Sequence, residues 1–239
     1  MFSSRLPLAT ALVLSTVLLG SGCRMSAVGK NVSGVRDYQQ GQYHSAIQRF
    51  QQALAADPNN ADAYYNLAAT YYALGKYQGD QGLMNQAEGL YHQCLDLEPN
   101  HVECHRGLAG LLVDTNRPES AFTLLKRWAM QNPSDPSARI ELARLYEEFG
   151  DDDSAIQHLS DALHVDANDH RAWAALGRLR EERGEHAQAL SNYQQAYNLN
   201  QFQPGLSSRI ATLQQSLNSG TGVSAGGTQM VTAPTPSAR

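Results

Sequence analysis

GQYHSAIQRFQQALAADP, residues 41–58, carries the pattern that decides the fold. Ala46 is followed by Phe50 four residues on, Ala53 three further, and Pro58 five after that. Steps of four and three residues keep these side chains on one helical face. The small residue lets a neighbouring helix approach, the bulky one fills the space between helices, and proline cannot continue the helix.

The same offsets recur along the chain. They run Ala87, Tyr91, Cys94, Pro99; then Ala121, Leu125, Trp128, Pro133; then Ala155, Leu159, Ala162, Ala167; and last Ala189, Tyr193, Ala196, Gln201. A second helix is predicted before each set. Tyr64, Leu67, Ala68 and Tyr71 have helical spacing, and Trp173, Leu176 and Gly177 repeat it, as do Leu142, Ala143 and Tyr146. Gly75, Gly150 and Gly184 stand where each pair of helices is expected to turn, because glycine accepts the left-handed conformation.

Trp173-x-x-Leu176-Gly177, followed by Gly184, Ala189, Tyr193 and Ala196, closely resembles the 34-residue tetratricopeptide repeat. The parse is 27–60, 61–101, 102–135, 136–169 and 170–203, about three quarters of the chain. The second unit is seven residues too long, and the excess is read as a widened turn at Gln78–Asn85. The first unit lacks the expected leucine before Gly34. Gly29, Ser33 and Gly34 weaken its opening helix, which is expected to be the least ordered. After Pro204-Gly205, the stripe Leu206, Ile210, Leu213 and Leu217 predicts a capping helix, which a repeat stack needs to cover its last apolar face. Residues 218–239 are rich in Gly, Ser, Thr, Ala and Pro and are expected to be disordered. The resemblance implies an all-α, right-handed superhelical solenoid of about five hairpins plus the cap, over 27–217.

The first residues read separately. Arg5, the apolar run Leu6–Leu19 and the small residues Gly20, Ser21 and Gly22 predict a signal peptide over 1–22. The run is short for a spanning helix, which needs roughly 20 apolar residues. Leu18-Leu19-Gly20-Ser21-Gly22-Cys23 resembles a bacterial lipobox, which would place a lipid on Cys23 and leave 23–26 as a linker. Gly20 stands where that pattern prefers leucine. The alternative is an ordinary cleaved signal with a chance cysteine. Arg24, rather than aspartate, leans toward the outer membrane. The expected location is the cell membrane or outer membrane, facing the periplasm.

Composition narrows the function. A net charge of −5 with scattered arginines provides no basic face for nucleic acid. The sequence carries no nucleophile elbow, P-loop or dinucleotide fingerprint in a suitable context, so an enzyme is not expected. His101-Val102-Glu103-Cys104-His105, with His92 and Cys94, is the best metal candidate. It reads instead as a linker histidine and a core histidine, and neither metal nor cofactor is expected. Asp151-Asp152-Asp153 reads as acidic residues favouring a helix start near Ser154 rather than a calcium loop. Cys94 and Cys104 should lie on packed helices, open to either a disulfide or two buried thiols.

By the resemblance, a partner protein or peptide would lie in a concave groove lined by the first helix of each hairpin. The second unit offers Asp62, Tyr65, Asn66, Ala69 and Tyr72. The third offers Glu103, Arg106, Gly110 and Val113, the fourth Ile140, Glu141, Arg144 and Glu148, and the fifth Arg171, Ala174, Arg178 and Glu181. Tyr65 and Tyr72 could equally pack within the stack. The carboxylate clamp of chaperone-binding relatives is absent, since Asn66 is present but Glu103 and Gly107 replace basic residues. The functions implied are a lipid-anchored scaffold for assembling an envelope complex, or an accessory subunit docked on an envelope enzyme.

Overall fold

The computed structural model describes residues 26–221, which form eleven helices and no strand. The expected signal peptide, Cys23 and residues 222–239 of the tail lie outside the described residues. Among the described residues, no helix is long and apolar enough to cross a membrane.

The chain divides into two compact units, Met1–Asn132 and Pro133–Arg239. The first holds α1 (26–39), α2 (Tyr43–Ala56), α3 (Ala61–Gln78), α4 (Gln81–Leu97), α5 (Val102–Asp114) and α6 (Pro118–Gln131). Here α1 with α2, α3 with α4 and α5 with α6 are the hairpins, and α3 also packs on α5. The second holds α7 (Ser137–Glu148), α8 (Asp152–Val165), α9 (His170–Glu182), α10 (His186–Leu199) and α11 (Leu206–Thr221). Two hairpins, α7 with α8 and α9 with α10, are followed by α11 laid on α10.

Burial follows the repeated offsets. Ala46, Phe50, Ala53, Ala87, Tyr91, Cys94, Ala121, Leu125, Trp128, Ala155, Leu159, Ala162, Ala189, Tyr193 and Ala196 are all at most 2% exposed. The cap closes the second unit, with Leu206 and Leu213 buried against Tyr193 and Ala196 and Ile210 partly so. It continues to Thr221, four residues beyond the expected end.

Two expectations are corrected in the second hairpin. Its seven extra residues do not widen the turn. They lengthen the helices, to 18 residues in α3 and 17 in α4, against 12–14 in the helices of the following two hairpins. The turn itself is Gly79-Asp80. Gly79 takes φ +68°, and the Asp80 carboxylate accepts from the N–H groups of Gly82 and Leu83, a strong N-cap. Gly75 is accordingly not the turn residue. It is buried inside α3, where an added Cβ would stand 3.1 Å from Met84 Cγ and 3.2 Å from the Asp80 carbonyl.

Glycine also sets how closely helices approach elsewhere. Helix α1 continues through Gly29, Ser33 and Gly34, and a Cβ on Gly34 would stand 2.5 Å from the Phe50 ring. On Gly177 it would stand 2.7 Å from Tyr193, itself 2% exposed. Gly89, inside α4, meets nothing within 4 Å. Alanine is about 1 kcal/mol better than glycine in a helix. Gly89→Ala is therefore expected to stabilise by roughly that amount. Gly177→Ala should destabilise by about 1 kcal/mol, since overpacking a ring that cannot move costs roughly 1–3 kcal/mol and exceeds the same propensity gain. Urea midpoints that shift in the same direction for both variants would refute this reading.

Candidate functional site

In the first unit, the face formed by α3 and α5 holds most of the expected ligand contacts. Asp62, Glu103 and Arg106 are exposed, while Tyr65, Asn66, Ala69, Tyr72, Gly110 and Val113 are half-buried. Tyr72 donates its hydroxyl to Asp114 Oδ2 at 2.5 Å, and Lys76 Nζ reaches the same oxygen at 2.5 Å. Burial alone would raise the Asp114 carboxyl, but these two hydrogen bonds outweigh it and hold it below its usual range. Gly110 lies beside this arrangement, and an added Cβ there would stand 3.7 Å from the Tyr72 hydroxyl, an ordinary contact distance. Asn66 donates to Asn31 of α1 at 3.1 Å. Tyr65 lies tilted between Tyr91 and His101, with ring centres 6.3 and 5.6 Å away. Burial, then the nearby Glu103 carboxylate, pushes its phenol up.

Asn31, Lys76 and Asp114 were not anticipated. The spacing of Tyr72 and Lys76, four apart on one helix, was the available signal for one of them. Asp114 is supplied by the next hairpin, which sequence spacing does not reveal.

In the second unit, the expected residues are mostly held by one another. Ile140 packs against the core of α8 and α9. Glu141, expected to line the groove, is 2% exposed and accepts from Arg144 Nε at 3.2 Å. Arg144 also reaches Glu148. Arg171 holds Asp169 at 2.6 Å and the Ser137 hydroxyl at 3.2 Å. Arg178 grips Glu147 with both terminal nitrogens and also approaches Glu182. Ala174 is half-buried. Glu181 accepts from the Tyr193 hydroxyl at 2.8 Å and pairs with Arg209 at 2.7 Å. Each of these arginines therefore already has a carboxylate, and an acidic guest would have to displace it.

Asp169 is another buried carboxylate of this set and caps α9 through the N–H groups of Arg171 and Ala172. Burial would raise its pKa, but the bonds from Arg171 and the backbone outweigh that and hold it low. A depressed carboxylate stabilises the fold above its unfolded pKa of about 3.9, and that contribution is lost as pH falls through the folded value. Asp169→Asn keeps a capping oxygen and removes the charge. It should cost about 1–2 kcal/mol at pH 7, toward the lower end for a charged hydrogen bond because Arg171 is partly exposed. The difference from wild type should shrink as pH falls below about 3.9. Urea unfolding across this range checks it, and a constant gap would contradict it.

The histidines are spread over separate structural tasks. His101 caps α5 through its Nδ1, and His105 stacks on Trp128 with ring centres 4.0 Å apart. His158 stacks on Tyr146, and His164 bonds the Ser160 carbonyl. His101 and His105 thus face different partners. Asp151 is an N-cap, accepting from Ser154 N at 3.1 Å, and Asp152 and Asp153 occupy the first turn of α8. Cys94 and Cys104 are joined in a disulfide between α4 and α5, with Cα atoms 6.6 Å apart.

Sequence profiles described as TPR repeat and tetratricopeptide repeat match residues 34–75, 80–138, 117–179 and 170–203. The chain belongs to the tetratricopeptide repeat family. Superkiller complex protein 3 of Mus musculus is 24% identical over 210 residues, 73% of this chain and 13% of its own length. Cellulose synthase operon protein C of Xanthomonas axonopodis pv. citri is 30% identical over 139 residues, 57% of this chain and 9% of its own. The chain thus spans a small part of these relatives. Among solved structures, a thermophilic TPR protein of Thermus thermophilus superposes with a TM-score of 0.58 at 24% identity. It covers 79% of this chain and 99% of its own, a likeness of fold.

Proposed function

We propose that this chain is a lipid-anchored scaffold that binds protein or peptide partners during assembly of a cell-envelope complex. The observation that carries the binding surface is the α3–α5 face. Tyr65 and Tyr72 are half-buried there, while Asp62, Glu103 and Arg106 remain exposed. Half-buried tyrosines give broad contact at low entropic cost. The two exposed carboxylates against one arginine favour a segment carrying basic and apolar side chains. The paired arginines of the second unit serve first as structure. The role is non-catalytic and needs no nucleic acid.

The anchor rests on the sequence. Leu6–Leu19 ending in Gly20-Ser21-Gly22-Cys23 resembles the lipobox of an exported lipoprotein, with Gly20 where that pattern prefers leucine, and Arg24 leans weakly toward the outer membrane. A second reading, an accessory subunit of an envelope enzyme, draws on the Xanthomonas relative, whose name ties it to a cellulose synthase operon.

Crosslinking in the native membrane, with identification of what is attached, tests both. Several structural proteins would support the scaffold, and one enzyme the second reading. Cys23→Ser should move the chain from the membrane to the soluble fraction, and retention would remove the lipid anchor. Tyr65→Ala with Arg106→Ala should weaken partner capture. Unchanged capture would move the contact off this face.

A further inference from the structure

Cys94 lies in the last turn of α4 and Cys104 in the first turn of α5, so the reversal between them brings both to the seam of two repeats. Both are fully buried, and His101 beside them is 6% exposed. One ring nitrogen of His101 and the two Sγ atoms all lie within 4.8 Å of one another.

The imidazole is oriented from two sides. Nε2 faces Asp62 Oδ1 at 3.3 Å, and Nδ1 lies 3.3 Å from the backbone N–H of Cys104. A carboxylate at Nε2 favours the proton there and leaves the Nδ1 lone pair to accept from the Cys104 N–H, a capping bond that an ion taking Nδ1 would have to displace. A carboxylate behind a histidine is also how metal-bound imidazoles are commonly supported. Glu103 Oε2 stands 3.4 Å from Nδ1, at the same edge of the ring.

We propose that Cys94, Cys104 and His101 form a redox-gated zinc site, closed by the disulfide and opened by its reduction. Two sulfurs and one imidazole suit a thiophilic ion. Charge selects zinc over copper(I). Two thiolates cancel Zn²⁺, so the buried donors and ion carry no net charge, whereas Cu⁺ would leave one negative charge in a dry seam. The disulfide takes two electrons and two protons from a dithiol donor, which leaves as a disulfide itself. Zn²⁺ then displaces the two thiol protons. The two states exclude each other, because the sulfurs that bond to one another are those that would hold the ion.

The test uses the full chain, freed of metal and reduced without oxygen by a phosphine, which becomes its oxide with oxygen from water. Zinc is titrated against a chromophoric chelator, and helicity is followed by circular dichroism. One equivalent should bind to the reduced chain and none to the disulfide form. Cobalt(II) in place of zinc should give a thiolate charge-transfer band. His101→Asn keeps a side-chain oxygen to cap α5, and should weaken zinc at least about tenfold, while Asp62→Asn should weaken it about 10–100-fold. Equal zinc uptake by the two redox forms overturns the proposal. So does unchanged affinity in a folded His101→Asn chain, or failure of the reduced chain to take up zinc whether or not it stays helical.

Discussion

Replacing Trp128 with alanine is expected to lower the stability of the first unit by about 3–5 kcal/mol. The indole is 1% exposed and fills the space between α5 and α6. His105 stacks on it with planes 6° apart, and its Nε1–H donates to Asn100 Oδ1 at 3.2 Å. Truncation removes the largest fully buried side chain and takes the stacking partner from a histidine that is itself 6% exposed. It also leaves the Asn100 oxygen without its indole donor. Relaxation could close the gap only if α5 and α6 moved together, and the 0% exposed residues Leu125 and Ala121 already occupy that interface. Urea unfolding followed by circular dichroism measures the loss. A value under about 1 kcal/mol would show that the seam collapses over the cavity.

The second large effect is expected at the disulfide. Cys94 and Cys104 are ten residues apart, and closing so short a loop removes unfolded-chain entropy worth about 2–3 kcal/mol. Cys94→Ala with Cys104→Ala should therefore destabilise by about that amount, with a further contribution from lost packing at two fully buried positions. The wild-type chain under reducing conditions should lose a similar amount. Midpoints that do not differ between oxidised and reduced chain would mean the bridge contributes no net stability. Comparing the reduced wild type with the alanine pair separates the covalent constraint from the packing of the sulfurs.

Both effects concern places where neighbouring helices meet, and such places were unevenly legible in the sequence. The positions of Ala121, Leu125 and Trp128 were readable because burial on a helix repeats with its own period. The stacking of His105 on Trp128 was half readable, since His105 occupies a position where other repeats carry a packed aromatic. The widened turn was misjudged at Gln78–Asn85 because an excess between two helical patterns can enter a loop or lengthen both helices. Gly79-Asp80 held the answer, a left-handed residue followed by an N-cap, but Gly75 offered a competing turn signal. A glycine that turns the chain and one that admits a neighbouring helix look alike in sequence. The difference is whether something stands about 3 Å from the missing Cβ, as Met84 does at Gly75.

The candidate face divides in the same way. Which residues share the exposed side of α3, α5, α7 and α9 follows from helical spacing. Which of them remain available does not. Glu141 is spent on Arg144, Arg178 on Glu147, and Arg171 on Asp169, while Tyr72 is joined to Asp114 and Lys76.

By itself, the sequence determined the repeat register, the buried positions, the capping helix and the family, because each is set by periodicity and turn chemistry within about 34 residues. The tertiary structure decided the true turn of the second hairpin, the partners of the arginines, and the meeting of Cys94, His101 and Cys104. Those depend on the distance between helices, which no spacing along one helix contains.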